Sequence, residues 1–142
     1  MNKWLVVGIS VVLAGGFAGT SCAQTHTAQK EIDTAHTHAM YAAEAPTVAV
    51  SHMHLHHVIN CLVGPKGASF DTKQADPCKG QGNGAIPDSI TDHALHAKLE
   101  SVLAEAKTGL KSDSLAAVHS DAAKVAASLQ QAGSSATNPG GS

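Results

Sequence analysis

The sequence predicts an all-α fold: a small antiparallel four-helix bundle in which a long, disulfide-pinned loop joins the second and third helices. Three observations predict it. Four segments carry apolar residues at helical spacing, glycines and prolines separate them, and no segment alternates as a half-buried strand would. Short connections elsewhere favour antiparallel neighbours.

Ahead of the helices stands a segment that reads as a secretory leader, residues 1–23. Lys3 supplies a positive start, an uncharged apolar stretch runs from Trp4 to Ala18, and Ser21 and Ala23 are the small residues a signal peptidase reads. The stretch is short for a membrane span. Cleavage after Ala23 would leave a periplasmic or secreted domain over 24–132. The competing reading lipidates Cys22 and tethers the domain to a membrane, although Gly19 stands where such a signal normally carries a large aliphatic residue.

The first helix is expected from Thr27 to Glu44, ending before Pro46 because the residue preceding a proline is pushed out of the α region. Ile32, Ala35, Ala39 and Ala43 define its apolar face. The second runs from Thr47 to Leu62 with Leu55, Val58, Ile59 and Leu62 as the buried stripe, and it stops at Gly64-Pro65. Residues 63–87 follow as a loop rich in glycine and proline. The third helix is expected to be capped by Asp88 or Ser89 and to continue to Lys107, with Leu95, Leu99, Val102, Leu103 and Ala106 facing the core. The fourth begins at Ser112 or Asp113, carries Leu115, Val118, Ala122, Val125, Ala126 and Leu129 on one stripe, and ends at Gly133. A disordered tail over 133–142 is expected after it.

Composition narrows the function classes. Nine basic residues, all lysine, stand against 11 acidic ones, and past the leader Tyr41 and Phe70 are the whole aromatic complement. With no arginine forks, no basic excess and little to stack on bases, nucleic-acid recognition is not expected. Removing the leader discards Cys22 and leaves Cys61 and Cys78, an even pair that reads as a disulfide in an oxidising compartment. Reduced, the same pair would be soft-metal ligands. An alanine-rich core of this size buries modest area and gains from a disulfide or a metal.

All ten histidines fall after residue 23, four of them within His52–His57. On a helix His52 and His56, four residues apart, present two imidazoles on one face at the edge of the buried stripe, which makes them the first choice as ligands. His54 flanks the opposite edge, and His57 points away near Cys61. His36 lies within the apolar face of the first helix with Met40 one turn later, a possible soft ligand. His96 sits at the edge of the third helix's stripe beside Asp92 and Glu100. His119 is a boundary residue, and His38 adds at most a weak surface site.

These features predict an exported, non-enzymatic protein that binds a transition metal, copper or zinc, for buffering, delivery or sensing, with a metal transporter or sensor as a further partner. Irving–Williams ordering favours copper at an exposed nitrogen site, whereas closed histidine ligation suits zinc. A b-type haem bundle with His36 or His56 as axial ligand is the alternative, weakened by the poverty of aromatic lining. A structural or adaptor role with incidental histidines is the other. No spacing assembles a nucleophile with an acid and a base, so catalysis is not expected.

Overall fold

The computed structural model describes residues 20–137, and the side chains of 27–136. Five helices follow one another: α1 (Thr20–Ala43), α2 (Val48–Val63), α3 (Ala85–Asp88), α4 (His93–Gly109) and α5 (Leu115–Thr137). No strand occurs among the described residues. The apolar part of the expected leader and the last five residues of the expected tail lie outside them. No helix among the described residues is long and apolar enough to cross a membrane.

Local chemistry sets the boundaries. Before Pro46 the chain leaves α1, and the Thr47 side chain then caps α2 by accepting from the Val50 N–H at 3.2 Å. At its other end α2 closes on Gly64, whose N–H donates to the Asn60 carbonyl at 2.9 Å from a backbone at φ 64°. That conformation suits glycine.

The start of α4 differs from expectation. Asp92, not Asp88 or Ser89, caps it by accepting from the Leu95 N–H at 3.0 Å. Asp88 and Ser89 are already committed to α3, a single turn in which Pro87 fits because an N–H so near a helix start needs no intrahelical partner. The Asp88 carboxylate accepts from the backbone and side-chain nitrogens of Asn83, and the Ser89 hydroxyl donates to the Ile86 carbonyl at 2.8 Å. At the other end of the chain α5 passes through Gly133 to Thr137. Gly133 is buried there against Gln29 and Ile32 of α1, so packing holds a turn that propensity alone would end.

The core is built from the stripes themselves. α1 packs against α5 and α2, and α4 packs against α5 and α2. Leu55, Leu62, Leu95, Leu99 and Leu129 are fully buried, each stabilising the fold by about 2–3 kcal/mol. Ala28, Ala35, Ala39 and Ala42 line the buried side of α1 and let its backbone approach its neighbours closely.

Cys61 and Cys78 are joined in a disulfide with a Cα separation of 5.2 Å, fixing the long loop to α2. Beside it the buried Asn60 side chain accepts from the Asp71 N–H at 2.8 Å and donates to the carbonyls of Asp71 and Ala75 at 3.1 Å. A polar residue at the centre of the core is thus satisfied by loop backbone. Asn60→Ala strands those groups, and we expect a loss of about 2–4 kcal/mol in urea unfolding; a loss under about 0.5 kcal/mol would show that the loop finds other partners.

Candidate metal centre

Three imidazoles meet where α1 faces α2. The turn at Pro46 reverses the chain, and the buried Ser51 hydroxyl donates to the Ala42 carbonyl at 2.8 Å, fixing the start of α2 against the end of α1. His54 and His57, three residues apart, therefore project from one side of α2 toward His38 on α1. The Nδ1 atom of His38 lies 3.1 Å from Nδ1 of His54 and 3.3 Å from Nδ1 of His57. One nitrogen from each ring falls within 4.8 Å of the others, close enough to hold a metal ion. Tyr41 covers the group on one side, its ring centroid 5.7 Å from that of His38 and 5.4 Å from that of His54.

Burial makes these rings neutral. His57 is 8% exposed and the other two are half-buried. Desolvation lowers all three from the ordinary histidine value. For His38 it acts with the neighbouring His57 and His54 to bring the value down to about 4. At neutral pH each ring thus offers a lone pair rather than a second N–H.

That arrangement is frustrated on its own. A neutral imidazole nitrogen either donates or accepts. If His38 Nδ1 carries a hydrogen, it serves one neighbour well and not both; if it does not, two rings compete for one lone pair. A cation at the centre turns the same convergence into three ligand bonds. With metal–nitrogen bonds of 2.0–2.1 Å, the edge of a tetrahedral face spans roughly 3.3–3.4 Å, near the 3.1 and 3.3 Å observed. Three ligands leave a fourth position open.

Of the residues the sequence singles out, the structure brings His54 and His57 together and places the others elsewhere. His52 Nε2 lies 3.1 Å from the Ser112 carbonyl, and His56 Nδ1 lies 3.4 Å from an Asp71 carboxylate oxygen. His96 Nδ1 is 3.0 Å from the Ile86 carbonyl, and His119 Nε2 is 2.8 Å from that of Ala45. His36 lines a shallow groove between α1 and α5 with Asp33 and Leu129, and Met40 is 42% exposed. The side chain of His26 lies outside the described residues. His57 does not point away: α1 covers it, which a helical wheel of α2 alone cannot show. His38, expected to do little, supplies the nitrogen that both other rings approach. A signal was available in the three-residue spacing of His54 and His57, which shares a helix face as well as the four-residue pair does.

Compared with family models, with curated proteins and with solved structures, the chain matches none.

Proposed function

We propose that this is an exported, non-enzymatic protein that binds a single copper or zinc ion through His38, His54 and His57, for buffering, delivery or sensing. The observation that carries the reading is the convergence of three imidazoles, with His38 Nδ1 3.1 and 3.3 Å from Nδ1 of His54 and His57 and one nitrogen of each ring within 4.8 Å of the others, an arrangement that an ion satisfies more fully than hydrogen bonds between neutral rings. Rings that are already deprotonated at pH 7 release no proton on loading. The disulfide is compatible with an oxidising compartment, and the leader-like N-terminus agrees with it. In this reading α1, α2, α4 and α5 form an antiparallel four-helix bundle. The ion bridges its first two helices at a partly accessible place, with the fourth position free for water or for a donor group of a transporter or sensor.

Calorimetric titration with Cu(II) and Zn(II) tests it. One ion per chain is expected, with affinity reduced at least about 100-fold in His38→Ala and in His54→Ala, and unchanged in the double variant His52→Ala with His56→Ala. No uptake of either metal would sink the proposal, as would a double variant that loses as much affinity as His38→Ala.

A further inference from the structure

A second cluster of ionisable groups lies away from the three histidines, where α1 meets the end of the disulfide loop. Glu31 of α1 is 1% exposed. One of its carboxylate oxygens, Oε1, accepts from the Gly84 N–H at 2.8 Å, and the other, Oε2, is buried with no hydrogen-bond partner. Across from it is Asp88 of α3, itself buried and holding Asn83 through two hydrogen bonds of 3.0 Å. Both carboxylates close around Gly82: a Cβ there would overlap Asp88 Oδ2 and stand 2.8 Å from Glu31 Oε1. The charges that bear on Glu31 are those of Asp88 and, from the loop, Asp76, both negative; among the described residues α2 and α5 bring none to counter them.

Two buried carboxylates facing each other, with only carboxylates among the charged side chains acting on Glu31, cannot both be charged cheaply. The unpartnered Oε2 is the position at which a proton would relieve that repulsion. We infer that Glu31 is a proton-operated latch: protonated, it lets residues 82–88 close on α1, and ionised, it repels Asp88 and loosens that segment. The latched residues Asn83, Ile86, Pro87 and Asp88 form one wall of a cavity of about 670 Å³, whose other walls include Val63 at the end of α2, Lys66 just after it, and His96 and Leu103 of α4. The state of Glu31 therefore sets how firmly that wall is held.

The sign follows from the direction of the shift. Burial first, with Asp88 and Asp76 adding to it against the Gly84 hydrogen bond, raises the Glu31 carboxyl from 4.5 to about 7. The folded chain thus holds a proton that the unfolded chain gives up earlier. The stability contributed is complete below the unfolded value and is lost as pH rises through about 7.

The test uses the full chain. In a carbon-13 carboxyl titration, Glu31 is expected to change state near neutrality, and Asp88→Asn is expected to move that midpoint toward the ordinary range. The amide of Gly84, followed by hydrogen exchange corrected for intrinsic rate, is expected to open at least about 10-fold more at pH 8.5 than at pH 5.5. In Glu31→Gln that difference should vanish. A Glu31 midpoint below about 5 in the unaltered chain overturns the inference whether or not the variants fold; so does a Gly84 pH dependence that survives in Glu31→Gln.

Discussion

Gly64→Ala is expected to destabilise the protein by on the order of 4 kcal/mol or more, enough to leave a domain of this size largely unfolded. At φ 64° an L side chain already costs about 1–2 kcal/mol. Here the added methyl would also overlap the Asn83 carbonyl, which belongs to the backbone and cannot swing aside. The reverse contact is equally close: a Cβ at Gly84, itself at φ 115°, would run into the backbone of Val63 and Gly64. Two glycines thus allow the far end of the loop to lie against the end of α2. Gly80→Ala is the control. Gly80 has φ 79°, but nothing lies within 4 Å of the position a Cβ would take, so about 1 kcal/mol is expected. Equal losses for the two variants in guanidinium unfolding would refute the close-approach account.

The second large effect belongs to the disulfide. Cys61→Ser with Cys78→Ser is expected to cost about 3 kcal/mol through the unfolded chain alone, for a separation of 17 residues. Both positions are buried in the core, so the hydroxyls that replace the sulfurs add a desolvation cost. The loop over residues 64–84 then depends on Asn60, on the Gly64–Gly84 approach and on the Glu31 contact with Gly84. Thermal unfolding of the double variant, compared with the unaltered chain under reducing and oxidising conditions, measures this. A melting temperature that does not respond to either change would mean that those contacts suffice.

Much of the helical framework was legible because it depends on near neighbours in the chain. Pro46 ends α1, Gly64 ends α2, and Leu55, Val58, Ile59 and Leu62 recur at a spacing that leaves them on one buried side. The short turn Ala85–Asp88 was not legible, since its sequence reads equally well as the cap of the following helix. The choice depends on Asn83 claiming the Asp88 carboxylate.

The histidines divide in the same way. Nothing in the spacing of His52 and His56 shows that Ser112 and Asp71 will be brought to them by distant parts of the chain. Nor does any pattern within α1 reveal that His38 will face His54 and His57, because the crossing of two helices decides it. Periodicity identifies the face of a helix; tertiary packing chooses what that face meets. His96 and His119 illustrate the outcome most simply, each meeting a backbone carbonyl, that of Ile86 in α3 and that of Ala45 between α1 and α2, rather than a ligand.

The placement of His38 on α1 and of His54 and His57 on α2, with Cys61 one turn beyond His57, has a topological consequence. An ion held by the three rings would close the chain between residues 38 and 57 just as the sulfur bond closes it between 61 and 78. The polypeptide would then carry two successive rings sharing α2 as their common edge, one sealed by oxidation and the other by coordination. Reductant would open the first and chelator the second, so the two closures would come under separate chemical controls.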